Sequence, residues 1–217
     1  MKFEIIFQNI EYIFEAMGVT LKITGISFLF GVIIAMVVGI IRVEYNSRYI
    51  NCILNIYIEV FRGTPLLIQL FFIYYGLPSI GISMDSFTAA ILGLSLNSGA
   101  YMAEVIRGGI LAVDKGQREA GLSLGFTKIQ TLLYIVFPQA VRVVIPAIVN
   151  SFSSLLKESS LVSILAITEL TRMGQLIYTR TYRAFEIYLV LGILYFILTF
   201  IVSLISKRIE YKINKAY

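Results

Sequence analysis

The sequence predicts an all-α fold, an integral membrane bundle of five transmembrane helices, and three observations carry that prediction. Of the 217 residues 58% are hydrophobic and 14% charged, against about 25% charged in soluble domains. Five apolar runs are read as spans, at about 18–41, 65–78, 87–106, 138–157 and 185–206, a crossing needing about 20 apolar residues. The polar residues inside these runs recur every three or four positions, the spacing of one helix face. A mean hydropathy of +0.85 agrees. The chain is therefore read as one transmembrane domain over 1–217.

Composition also excludes chemistry. The single Cys52 rules out an internal disulfide, and the absence of histidine removes the commonest general base and metal ligand. The dipeptide Gly-Lys never occurs, so there is no Walker-type phosphate loop. No catalytic residue, metal site or cofactor is expected in this chain, and any nucleotide chemistry falls to a partner. The net charge of +5 suggests nucleic acid in a polar protein; in so apolar a chain the bases mark membrane orientation, and no nucleic-acid partner is expected.

In chain order, residues 1–17 carry Glu4, Glu11 and Glu15, too acidic for the basic start of a secretory signal, and are expected to form an amphipathic helix at the interface. In the first span, Gly18 to Ile41, Lys22 lies near one end, where its stem reaches toward the head groups. Thr20, Thr24, Ser27 and Gly31 share a face, and Gly31, Ala35 and Gly39 repeat small residues every four, the pattern of close helix packing. Cys52 to Phe61 is apolar but too short to cross, and Arg62-Gly63-Thr64-Pro65 breaks it, since the residue before proline avoids the α region. Gln69, inside the second span, fits either an interhelical hydrogen bond or contact with a transported solute.

The third span follows a Gly-, Ser- and Asp-containing turn at Ser79 to Ser86 and sets Asn97, Tyr101 and Glu104 on one face. An ionisable residue within a span marks a pathway or a paired site; Glu104 also stands three residues before Arg107, within reach of an ion pair. The stretch Asp114 to Pro138 reads as two short helices joined at Gly125. Asp114 with Gln117, and Thr127 with Gln130, have the spacing of reciprocal caps; Gly125 suits a left-handed helix end; Pro138 closes the second piece or opens the next helix. In the fourth span Arg142, Pro146, Asn150, Ser153 or Ser154, and Lys157 form one polar stripe, followed by Glu158. Such a stripe faces other helices or water rather than lipid, with Lys157 and Glu158 meeting a solute's opposite charges or neutralising neighbouring helices. Leu161 to Leu170 is too short to cross, and Thr171 to Ala184, with Arg172, Arg180 and Arg183, is expected to be an exposed connection before the last span.

Glu119-Ala120-Gly121, then Gly125, Ile135 and Phe137-Pro138, resemble the EAA loop of the membrane subunits of ABC importers. The spacing fits throughout; Gly121 and Phe137 replace the family's alanine and leucine. Glu59 to Leu70, EVFRGTPLLIQL, is similar to a second signature of the amino-acid branch of these permeases. The resemblance implies a type I ABC importer permease fold, with 114–138 as the cytoplasmic coupling helix and Glu119, Ala120, Gly121, Gly125 and Pro138 as its ATPase-coupling residues. It implies a pathway for polar or basic amino acids, for which Gln69, Asn97, Tyr101, Glu104, Asn150, Ser153, Ser154, Lys157 and Glu158 are the candidate lining. It also implies a second copy or a paralogous permease, two cytoplasmic ATPase subunits binding ATP and Mg, and an external solute-binding protein. The expected location is the bacterial cytoplasmic (inner) membrane.

Charge gives orientation independently. With the 114–138 loop in the cytoplasm, twelve of the eighteen Lys and Arg fall inside, and five (Lys2, Lys22, Arg172, Arg180, Arg183) outside or at its edge, Lys157 lying within a span. That bias places the N-terminus outside and the C-terminus inside. Three rival classes are a small oligomeric channel, half of a secondary transporter and a membrane scaffold. The first gives no reason for the capped loop, and the second calls for an internal repeat that the sequence does not show.

Overall fold

A computed structural model describes residues 3–45 and 47–215, all helices and connections; Lys2, counted above among the outer bases, lies outside them. Among the described residues four helices are long and apolar enough to cross a membrane, Ile10–Glu44, Ser86–Leu111, Lys128–Leu165 and Ala184–Lys212. A fifth crossing exists if the pair Arg48–Gly63 and Leu66–Ile80, bent by 108°, counts as one.

After the short helix α1 (Glu4–Gln8), α2 runs unbroken from Ile10 to Glu44. Residues 10–17 are thus the first turns of the span rather than a separate interfacial helix. Ile13 and Ala16 explain the difference: they are buried on the same stripe that continues through Thr20, Ile23, Thr24, Ser27, Gly31, Ala35, Val38 and Gly39. The later part of that stripe, with Gly31 and Gly39, packs on α5 (Ser86–Leu111), the most buried span. A Cβ on Gly31 would stand 2.5 Å from Ser98 Oγ, and one on Gly39 3.0 Å from the Ala103 carbonyl, so the small residues let two backbones approach. The Thr20 and Thr24 hydroxyls donate back to Ala16 and Thr20 carbonyls at 3.0 and 2.8 Å, satisfied inside the bundle.

Helix α3 (Arg48–Gly63) begins earlier than its apolar core at Cys52 and buries only Ile58. The chain breaks at extended Thr64 before Pro65, as that dipeptide demands. The 65–78 stretch is not one straight helix: α4 (Leu66–Phe71) passes through a π turn, Phe72–Gly76, into a 3₁₀ turn, Leu77–Ile80. Fourteen α-helical residues would rise about 21 Å, short of a ~30 Å core, so this stretch crosses only together with α3. The Tyr57 hydroxyl donates to the Leu96 carbonyl at 2.7 Å and fastens α3 to α5.

The fourth span also starts earlier than Pro138. Helix α7 (Lys128–Thr131) continues through a π turn, Leu132–Val136, into α8 (Phe137–Glu158), one helical run in which Pro138 directly follows the π turn, the local irregularity that accommodates a residue without an N–H inside a helix. A 3₁₀ segment, Ser159–Leu165, follows. The 171–184 connection is largely a helix, α9 (Leu170–Thr181), because Leu170, Gly174 and Ile177 recur at helical spacing and pack with Ile13, Ile187 and Leu191. The last helix, α10 (Ala184–Lys215), is mostly exposed along one long apolar face that includes Phe196, Phe200 and Leu204.

Candidate functional site

Helices α5 and α8 border a half-open cavity of about 560 Å³. From α5 it is lined by Asn97, Ser98 and Tyr101, and from α8 by Ala147, Asn150, Ser151, Ser153, Ser154, Lys157 and Glu158. Seven of the nine candidate pathway residues therefore come together. Asn150, Ser153, Ser154 and Lys157 of the α8 stripe face this space from one side and Asn97 and Tyr101 of α5 from the other, while Arg142 and Pro146 of the same stripe do not line it.

Two candidates do not line the cavity. Gln69 is buried in the α3–α4 break, where the two hydrogens of its amide are shared among the Phe61 and Thr64 carbonyls, at 2.8 and 3.0 Å, and Thr64 Oγ1 at 2.9 Å. It supports the site from behind: Asn97 Nδ2 donates to Gln69 Oε1 at 2.9 Å and to the Phe61 carbonyl at 3.0 Å. Both amide hydrogens of Asn97 are thus engaged, and what it can offer a solute is the acceptor Oδ1. Glu104 lies nearer the C-terminal end of α5, in an ion triad: one oxygen meets Arg42 of α2, and the other accepts from Arg107 at 2.9 and 3.1 Å. The pairing with Arg107 is the one its spacing allowed; Arg42, distant in sequence, completes it.

The charges of the cavity are differently placed. Neither Lys157 nor Glu158 forms an ion pair within the described residues, so an ammonium and a carboxylate border the same space. Tyr101 is half exposed, with the Arg62 guanidinium 5.4 Å from its ring centre, a cation–π contact across the α3–α5 interface. Ser98 and Ser151 line the cavity although no periodic pattern marks them; each directly follows a stripe residue about 100° around its helix, and a space this wide takes in both. Also missed was Glu169, fully buried, whose carboxylate caps α9 by accepting from Thr171 N at 2.9 Å and Arg172 N at 2.7 Å, and which accepts from the Tyr195 hydroxyl at 3.0 Å. Three nearby arginines in a polar stretch hid that cap.

The second site is the 114–138 loop. Helix α6 (Lys115–Ser123) is capped by Asp114, which accepts from Gly116 N at 2.7 Å. Gln117 does not return the bond; its side chain instead accepts from Gln139 Nε2 at 3.2 Å, a tertiary contact that replaces the expected reciprocal cap. The second cap does form both ways: Thr127 Oγ1 accepts from Gln130 N and Gln130 Oε1 from Thr127 N, at 3.3 and 2.9 Å. Gly125 sits at φ +87°, and the bonds Gly125 N to Leu122 O and Phe126 N to Gly121 O complete a left-handed helix end. Gly121 is buried, and a Cβ there would lie 2.7 Å from Ile135 Cδ1 and 2.8 Å from Thr131 Cγ2, which accounts for glycine in place of alanine. Glu119, Ala120 and Pro138 are exposed. Around them Leu122, Leu124, Phe126 and Ile129 show apolar surface, the composition of a face that docks on protein.

With both sites described, comparison with known proteins gives one answer. The family described as "Binding-protein-dependent transport system inner membrane component" matches residues 12–215. The "Putative glutamine transport system permease protein GlnP" of Rickettsia felis is 42% identical over 207 residues, 95% of this chain and 94% of its own. The "Arginine transport system permease protein ArtQ" of Bacillus subtilis is 37% identical over 215 residues, 99% and 98% of the two chains. A solved structure, "Crystal structure of an amino acid ABC transporter with histidines", superposes with a TM-score of 0.91 at 37% identity, covering 98% of this chain and 99% of that one. Such permeases leave ATP hydrolysis to separate ATPase subunits and work with a substrate-binding protein, so this chain is a multi-pass inner-membrane transport component and not an enzyme. The chain belongs to the family of inner membrane components of binding-protein-dependent transport systems, the membrane-spanning permease subunits of ABC importers.

Proposed function

We propose that this permease carries a polar amino acid through the α5–α8 cavity, paired with a second copy of itself or a paralogous permease. The observation that carries the reading is the presence of Lys157 and Glu158, without an ion pair among the described residues, at one 560 Å³ space. A zwitterion needs partners of both signs: Lys157 suits its carboxylate, while Glu158 and the Asn97 acceptor suit an ammonium or guanidinium. The substrates named for the relatives, arginine and glutamine, fit that lining. Two ATPase subunits holding ATP and Mg dock on the exposed face of 114–138, around Glu119 and its apolar neighbours, and the solute-binding protein delivers substrate at the opposite side. The N-terminus is outside and the C-terminus cytoplasmic, as the charge bias supports. ATP-driven closure of the ATPases pulls the docked loops together and opens the bundle outward; hydrolysis reverses it.

The test is uptake of radiolabelled arginine and glutamine into proteoliposomes holding the complete complex. Lys157→Ala and Glu158→Ala are each expected to lower that uptake, and the substrate-stimulated ATP hydrolysis that accompanies it, by about tenfold, the loss of one charge-assisted contact. An unaltered response in both removes them from the pathway.

A further inference from the structure

Helix α6 is fastened on two sides, to the α7–α8 rod and to the end of α2. On one side it grips the α7–α8 rod, through Gly121 packed on Thr131 and Ile135 and through the Gln117–Gln139 bond. On the other, Arg118 forms an ion pair with Glu44, the last residue of α2, at 2.5 Å. Two residues earlier on α2, Arg42 meets Glu104 of α5, which also holds Arg107. The α2–α5 seam is closely packed at Gly31 and Gly39 and pinned at its cytoplasmic end by this triad, so the two helices respond to a pull as one body. Whatever moves the end of α2 therefore moves the α5 wall.

From this arrangement we infer that the Glu44–Arg118 pair is the positioning contact by which the coupling helix moves the α2–α5 wall relative to α8. Among the described residues it is the one ion pair joining α6 to the rest of the protein. The Glu44 side chain is 12% exposed and that of Arg118 34%, so neither charge is replaceable by bulk water without cost. Beside the pair lies a cavity of about 250 Å³, bordered by Val43, Leu122, Lys128 and Thr131. That open space lets α6 shift without forcing apart a packed core, while the ion pair carries the pull to α2.

The inference rests on the transport reading above, and its test separates the two. In the complete complex, amino-acid uptake per ATP hydrolysed is compared for the wild type, Glu44→Arg, Arg118→Glu, the double exchange, and Glu44→Gln. Each single reversal is expected to lower that ratio about tenfold while hydrolysis continues, and the double exchange to recover most of it, since only the pairing is restored. A contact that merely holds α6 folded would lower assembly and hydrolysis together and leave the ratio intact. Should a reversal fail to assemble, Glu44→Gln keeps the side-chain shape without the charge and is expected to lower the ratio in an assembled complex. Wild-type ratios in the reversals or in Glu44→Gln, or a double exchange no better than the singles, overturn the inference. A wild-type complex that hydrolyses ATP without moving any amino acid removes the transport reading and this inference with it.

Discussion

With φ at +87°, Gly125 holds a conformation that costs an L side chain about 1–2 kcal/mol. Gly125→Leu is expected to abolish ATP-driven uptake while leaving the chain inserted, and Gly125→Asn, which tolerates that conformation better, to retain part of it; equal uptake by both variants and the wild type would contradict the requirement. Glu119→Lys reverses the charge on the exposed face of α6 and should also stop uptake without affecting insertion. Gly121→Ala forces its methyl against Thr131 and Ile135, costing about 1–3 kcal/mol of overpacking, and a companion Thr131→Ala, which opens space and deletes a buried hydroxyl with no hydrogen-bond partner among the described residues, should recover much of the unfolding midpoint. At this scale local chemistry was legible: Gly125 and the Thr127–Gln130 cap depend only on neighbours in the chain. Gln117 was not, because its amide finds Gln139, 22 positions away, and no cap rule contains that partner.

Helix α9 shows what one element adds. Its cap, Glu169, ties it to Tyr195 of α10, and Thr20 of α2 accepts from Leu170 N at 3.0 Å, so three helices meet at one buried polar cluster. Glu169→Ala should cost about 2 kcal/mol, from the lost cap and an unpaired hydroxyl. Burial pushes the Glu169 carboxyl above the usual carboxylate range, against the hydrogen bonds that favour its charged form. The folded state then holds this proton more tightly than the unfolded state does. Its contribution to stability is therefore full below the ordinary carboxylate pKa and falls as pH rises through the raised one. Glu169→Gln should flatten that part of the unfolding-midpoint profile in detergent; an unchanged slope would show that Glu169 does not titrate there. Helix α9 was not read from sequence, and of the bent α3–α4 pair the break before Pro65 was read but not the irregular turns that follow it. Three arginines masked the 170, 174, 177 periodicity, and the π and 3₁₀ turns after Phe71 follow no apolar period.

For the whole molecule, composition and charge carried more than any single residue. The apolar spans and the polar stripe of α8 were legible because lipid forbids the alternatives; that Asn97 and Lys157 border one cavity depends on α5–α8 packing, which spacing within either helix does not specify. Orientation is tested by thiol labelling in a Cys52→Ser background, since Cys52 is itself exposed. An impermeant reagent should label Glu4→Cys in intact cells and Lys212→Cys only after the membrane is opened; the reverse pattern would invert the bundle. The most direct measurement is uptake of arginine or glutamine by proteoliposomes holding the permease alone, or the permease with its ATPase and binding protein, each with and without ATP. Accumulation is predicted only in the complete complex with ATP. Accumulation by the permease alone would contradict a transporter driven through its coupling helix.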